Sequence, residues 1–184
     1  MTDTALLVMD VQNMIVQRVH DEGYMPRLVR AVGAARDAGV PVLCVVVGFR
    51  PGDTDYHPDN RIFGHDRGFA NAGAAADVHS DVAPREGEPV ITKKRISGFA
   101  GSDLELVLRS NGIRHLVLSG VATSGVVLST LRQAADLDYR LTVLSDGCHD
   151  QDAEVHRVLT EKVFPMQADV VTVDAWIRAA GDGR

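Results

Sequence analysis

The sequence predicts an α/β protein in which a parallel sheet carries helices on both faces. Three observations lead there. Short apolar runs rich in β-branched residues recur along the whole chain, the mark of strands buried on both sides. Longer amphipathic stretches, with apolar residues three and four apart, separate these runs. The linkers after the amphipathic stretches are short, as strand–helix–strand crossovers prefer.

Six strands are readable. The first is ALLVMD at 5–10, an apolar run that stops on a charge. An amphipathic stretch over 25–38 follows, with Leu28, Val29, Val32, Ala35 and Arg36 at helical spacing, and Gly39 supplies its stop. The second strand is VLCVVV at 42–47, the third PVIT at 89–92 and the fourth HLVLSG at 115–120. A helix over 102–110 connects the last two. After the fourth strand a helix is expected over 123–137, then the fifth strand RLTVLSD at 140–146, a helix over 152–163 and a sixth strand, DVVTV, at 169–173. In the helix over 152–163, Val155, Val158 and Leu159 repeat at helical spacing, continued by Phe164, and pack against the sheet. Met166 and Trp176 are read as core or subunit contacts.

The passage over 48–88 breaks the pattern. It is rich in Gly, Asp, His and Ala and weak in periodicity. A loop this long in a compact domain is usually functional or partly disordered. It reads as a lid or an oligomer arm, with room for a short helix near 68–76.

Composition limits the function classes. A chain of 184 residues with 45% hydrophobic content supports one well-buried core, and the whole of 1–184 is expected to be one domain. Net charge is −6 and the basic residues are scattered, which argues against a nucleic-acid partner. No apolar stretch approaches bilayer length, and the early run ALLVM is too short and lacks the basic flank of a signal peptide. Cys44 and Cys148 form neither a disulfide framework nor a metal-ligand pattern. A cytoplasmic setting without cofactor or metal is the expectation, with a small molecule as the partner.

Chemistry gathers at strand ends. In open parallel sheets ligands bind beyond the carboxyl ends of the strands, where strand order reverses. Asp10 closes the first strand, Lys93 the third, and the turn GVATSGVVLST at 120–130 follows the fourth. Backbone N–H groups at the start of the helix after that turn attract anionic groups. An acid, a cation and a set of donors therefore converge without an obvious nucleophile.

These segments, LLVMDVQN, ITKKRISGF, GVATSGVVLST and VLSDGCHD, together resemble the isochorismatase-like hydrolase superfamily, which includes nicotinamidases, other amidohydrolases and isochorismatases. The resemblance covers nearly the whole chain. It implies a three-layer α/β/α fold with a six-stranded parallel sheet in the order 3-2-1-4-5-6, so that the first and fourth strands are neighbours. It also implies a dimer or higher homo-oligomer. Asp10 matches the family's acid/base aspartate. Lys93 matches its lysine, favoured over Lys94 by the spacing to Ser97 and Phe99. Val121 and Ala122 match the place of a cis peptide bond, which would aim the Ala122 and Val126 N–H groups into the pocket as an oxyanion hole. Gln12 and Asn13 are supporting residues near Asp10.

The departure from the family pattern is Val126, which stands where the cysteine hydrolases carry their nucleophile. Valine cannot attack a carbonyl, so the covalent route is closed at this position. Isochorismatases also lack that cysteine, typically having Gly, and cleave a vinyl ether by protonation from the aspartate. Valine is bulkier than glycine, and Lys94 replaces the aromatic residue usual beside the lysine, so the substrate can differ from isochorismate. Vinyl-ether or related hydrolysis without a covalent intermediate is the preferred reading. Its alternatives are an amidohydrolase that recruits Cys148, beside His149, and a small-molecule-binding protein without chemistry. Cys44, inside an apolar strand, is core.

Two further candidates lie past the second strand. Phe49 and Arg50 sit at the ligand end, where the arginine either pairs a substrate carboxylate or holds the loop through backbone carbonyls. Arg61 is a weaker candidate of the same kind. Asp55 and His57, with His65 as a third group, superficially resemble a metal motif, but their spacing is wrong and surface loop is the better reading.

Overall fold

The structure, a computed structural model, describes residues 2–52, 54–64 and 73–182. Its six strands are β1 (Thr4–Met9), β2 (Val42–Val47), β3 (Val90–Lys93), β4 (His115–Val121), β5 (Arg140–His149) and β6 (Asp169–Val171). All pairings are parallel, and the order across the sheet is β3-β2-β1-β4-β5-β6. Its helices are α1 (Asn13–Val16), α2 (Tyr24–Asp37), α3 (Leu104–Ser110), α4 (Leu128–Asp136), α5 (Ala153–Val158) and α6 (Val173–Asp182).

The unbroken apolar strands are explained by two cores. On β1, Ala5, Leu7 and Met9 face one core with Leu104 and Leu108 of α3 and Leu131 and Ala134 of α4. Leu6 and Val8 face the other, with Leu28, Val32 and Ala35 of α2 and Val173 and Trp176 of α6. Successive side chains point to opposite faces, so a strand buried on both sides needs an apolar residue at every position.

The strand order reverses between β1 and β4, the central pair. Met9 lies opposite Gly120 there. Gly120 has a φ of 143°, and a Cβ at this position would sit 2.2 Å from the Met9 carbonyl oxygen. Only glycine lets the two backbones approach this closely.

Besides the short α1 and the widened last turn of the helix expected over 152–163, three elements differ from the sequence expectation. The helix expected over 123–137 is interrupted: Gly125 is non-helical, a wide turn covers Thr123–Val127, and regular α4 starts only at Leu128. β5 runs past 146, because Leu118 faces Val143 whereas Gly120 faces Cys148. The extra residues bulge outward and β5 then rejoins the sheet, which carries Cys148 and His149 into it. Helix α6 follows a short β6; Val173, Trp176 and Ile177 supply its apolar face, and this three-and-four spacing is visible in the sequence. Of the helix expected near 68–76, a single tight turn at Gly73–Ala76 lies among the described residues. No helix among the described residues is long and apolar enough to cross a membrane.

Candidate functional site

The site is assembled at the carboxyl rim of the sheet. Asp10 follows the last residue of β1 with a φ of 56°, a left-handed conformation that aspartate tolerates better than most residues. Its N–H still donates to the Val45 carbonyl at 2.7 Å, which fixes it to the end of β2. Lys93 closes β3, on the other side of β2, with its Cα opposite that of Val47. Two strand spacings, about 10 Å, therefore separate the two backbones, and the lysine stem spans the end of β2.

Their heads meet. Lys93 Nζ lies 3.0 Å from Asp10 Oδ2, and the residues are 1% and 7% exposed. The ammonium also donates to the Arg95 carbonyl at 3.0 Å. Asp10 Oδ1 is buried without a hydrogen-bond partner. Burial pushes the Asp10 carboxyl up to about 6, with the Lys93 charge and hydrogen bond pulling the other way. Lys94, the next residue, is occupied elsewhere: its Nζ donates to the Gly48 carbonyl at 2.7 Å.

One strand away, the Val121–Ala122 peptide is cis. The Ala122 carbonyl accepts from the N–H groups of Gly125 and Val127 at 3.1 and 3.3 Å, which winds the chain into the wide turn. Val126 lies in this turn, buried in the core on the α3/α4 side. The N–H and hydroxyl of Ser124 both donate to Asp150 Oδ2 at 2.7 Å, and Thr123 Oγ1 is hydrogen-bonded to His156 Nδ1 at 2.8 Å. Burial pulls the His149 and His156 imidazoles below the usual histidine range. A crevice of about 290 Å³ opens beside the cis peptide, lined by Ile15, Arg18, Ala122, Ser124, His149 and Asp150 among others.

Cys148 sits within β5, buried, its Sγ directed to the Leu118 carbonyl at 3.8 Å. Burial pushes its thiol up to about 12. Cys44, buried in β2, is raised to about 11 for the same reason.

The remaining candidates form the foot of the long loop. Arg50 is taken by Asp55: its backbone N–H donates to Oδ2 at 2.8 Å, and its guanidinium reaches Oδ1 at 2.8 Å through Nη2 and at 3.0 Å through Nε. Arg95 Nη1 donates to the Asp55 carbonyl at 2.9 Å. Of the two readings of Arg50 the structure displays the loop-holding one, although its partner is a carboxylate rather than the expected backbone carbonyls. Asp55 is corrected from a surface turn residue to a buried anchor, because its charge is matched by Arg50 and Lys94. His57 is exposed, and His65 lies outside the described residues. Among the described residues no three His, Cys, Asp or Glu side chains are grouped to hold a metal ion. Phe49 stacks on Tyr56 with ring centres 4.8 Å apart and contacts Phe63 at 5.5 Å.

Gln12 is bonded to β2 and the long loop rather than to the Asp10 carboxyl. Its side chain is buried, accepts from the Val47 N–H at 3.0 Å, and donates to the carbonyls of Val47 at 3.1 Å and Ala76 at 2.6 Å. Asn13 Nδ2 adds a bond to the Ala74 carbonyl at 3.0 Å. The two amides after Asp10 thus stitch the returning loop to β1. Arg18, Ser124 and Asp150 were not singled out by sequence, since they meet only when the ends of β1, β4 and β5 are brought side by side.

With the site in place, comparison with known proteins fixes its relatives. The Isochorismatase domain matches residues 4–175. The chain belongs to the isochorismatase family, a family of small-molecule hydrolases. Ureidoacrylate amidohydrolase RutB of Variovorax paradoxus is 30% identical over 97% of this chain and 81% of its own length. An isochorismatase family protein from Burkholderia thailandensis superposes with a TM-score of 0.86 at 26% identity, covering 99% of this chain and 97% of that one. N-carbamoylsarcosine amidase from Thermoplasma acidophilum gives 0.76 at 27% identity, over 94% and 98%.

Proposed function

We propose that this isochorismatase-family protein hydrolyses a small molecule by acid catalysis from Asp10, assisted by Lys93 and without a covalent cysteine intermediate, and that a vinyl ether or related bond is its target. The observation that carries this reading is a protonatable carboxyl, raised to about 6, with an unpartnered buried oxygen and a lysine ammonium 3.0 Å from its other oxygen. A general acid works best with a pKa near the operating pH. Asp10 transfers its proton to the terminal vinyl carbon. Water adds to the resulting oxocarbenium carbon and returns a proton to the Asp10 carboxylate, and the hemiketal collapses to a carbonyl compound and an alcohol. Lys93 keeps the carboxylate form stable between these steps. The N–H groups of Ala122 and Val126 serve oxygen atoms on which negative charge develops. The high thiol pKa and burial of Cys148 support a route that does not use it. A homo-oligomer belongs to the same reading, and sedimentation velocity tests it.

A second reading, amide hydrolysis, is favoured by the likeness to the ureidoacrylate amidohydrolase RutB and to N-carbamoylsarcosine amidase. There Asp10 acts first as a base on water. The two readings predict opposite pH limbs. As an acid, Asp10 must be protonated in the free enzyme, so kcat/KM falls as pH rises through about 6; as a base, kcat/KM rises through the same pH. The experiment is turnover on isochorismate, ureido acids and simple amides, with wild type, Asp10→Asn, Lys93→Ala and Cys148→Ser. Unchanged turnover in Asp10→Asn sinks both readings. Loss in Cys148→Ser with an intact fold establishes the displaced nucleophile, and ligand binding without turnover on any substrate establishes a binding protein.

A further inference from the structure

A cavity of about 610 Å³ lies at the opposite rim of the sheet from Asp10, where the strands begin. The six residues of β1 put about 20 Å between the two rims. Thr4 of β1, His115 of β4, Thr142 of β5 and Asp169 of β6 line the cavity, with Trp176 and Ala175 of α6. Its size falls in the range of small-molecule sites.

We infer that this cavity binds a small planar ring that carries N–H donors and is neutral or cationic. Charge is the first reason. Among the described residues the Asp169 side chain has no ion-pair or hydrogen-bond partner, and neither lysine nor arginine lines the cavity. An anionic ligand would meet an uncompensated carboxylate. Hydrogen-bonding capacity is the second. His115 has both ring nitrogens committed, Nδ1 to Thr4 Oγ1 at 3.3 Å and Nε2 to Thr142 Oγ1 at 2.9 Å. The threonine oxygens keep lone pairs, and Asp169 is an acceptor only when ionised, so the walls ask for donors. Shape is the third. Trp176, buried in the second core, shows the cavity only an edge of its ring among the small aliphatic residues Ala38, Val40 and Ala175, and this apolar wall suits the flat apolar body of a ring.

Trp176 is the chain's only tryptophan, so its fluorescence reports directly on this cavity. The test titrates the full chain with benzamidine, a planar donor-rich cation, and with benzoate, the same ring carrying an acceptor-only anion, followed by Trp176 fluorescence and calorimetry. Benzamidine is expected to give a saturable fluorescence change at millimolar concentration or below, and benzoate none. Asp169→Asn should weaken benzamidine by about threefold to fivefold, the effect of losing a partly exposed ion pair. Ala175→Leu should abolish binding by filling the cavity, with an unchanged melting temperature showing that the fold is kept. Asp10→Asn should bind as wild type does, which separates this site from the carboxyl rim. No saturable benzamidine signal, equal binding of benzoate, undiminished binding in a folded Ala175→Leu, or loss of binding in Asp10→Asn would each overturn the inference.

Discussion

The two rims of the sheet treat polar groups in opposite ways. At the amino rim the pairing is regular and, the Asp169 carboxylate apart, the polar side chains of the central strands are paired: Thr4 lies opposite His115 and His115 opposite Arg140, the imidazole is bonded at both nitrogens, and Arg140 meets Asp3 at 2.6 Å. At the carboxyl rim Asp10 and Gly120 have positive φ, the Val121–Ala122 bond is cis, and Asp10 keeps an unpartnered oxygen. Regular backbone with paired polar groups gives stability. A carboxyl that is buried, short of partners and raised to about 6 is less stable where it sits, and for that reason is ready to exchange a proton.

The contrast can be broken by substitution. The largest effect is expected at Asp10: Asp10→Asn should lower turnover about 10²- to 10⁴-fold, the usual contribution of a positioned acid or base, while His115→Gln should leave it within about twofold. A comparable loss at His115, measured as kcat on the same substrate, removes the distinction between the rims.

Next comes the backbone. Gly120→Ala should cost about 3 kcal/mol or more, because its Cβ would meet the Met9 carbonyl oxygen and the backbone has no room to yield. Gly112→Ala, with φ 66° and open space around it, should cost about 1 kcal/mol. Urea denaturation of the two variants gives the comparison.

The third effect is a pH dependence. The Asp10 carboxyl is raised in the folded state, so its contribution to stability is fully present below the unfolded pKa of 3.8 and is lost as pH rises through about 6. Across that window wild type should lose about 3 kcal/mol relative to Asp10→Asn. Opposing contributions from Asp21, Asp55 and Glu88, which their arginine partners hold low, cancel in the difference. Equal slopes for the two proteins would show that Asp10 is not raised. The smallest effect is at the amino rim, where Thr142→Val leaves His115 Nε2 without its partner and should cost about 1 kcal/mol with no change in turnover.

Much of the fold was readable before the structure. Double-sided burial forces continuous apolar strands, and Gly39, with its φ of 68°, ends α2 as its position suggested. Asp10 and Lys93 were legible because each is a charge closing an apolar run. What was hidden depends on contacts distant in sequence. The bulge in β5 that draws Cys148 into the sheet is set by its pairing with β4, and nothing in SDGCHD announces it. Asp55 looked like an ordinary turn residue until Arg50 and Lys94 closed around it. The break in the helix after β4 was foreshadowed by Gly125, but its extent follows from the turn wound on the Ala122 carbonyl.

The stitching of 74–79 onto 11–13 has a consequence for traffic. Gln12 and Asn13 hold the carbonyls of Ala76 and Ala74, and His79 donates its N–H to Val11 at 2.9 Å. That flank of β1 is a sewn seam, held by main-chain and side-chain amide hydrogen bonds. On the other side of the first turn after β1, a molecule that enters the 290 Å³ crevice meets Arg18, Ser124 and the Ala122 turn on its wall.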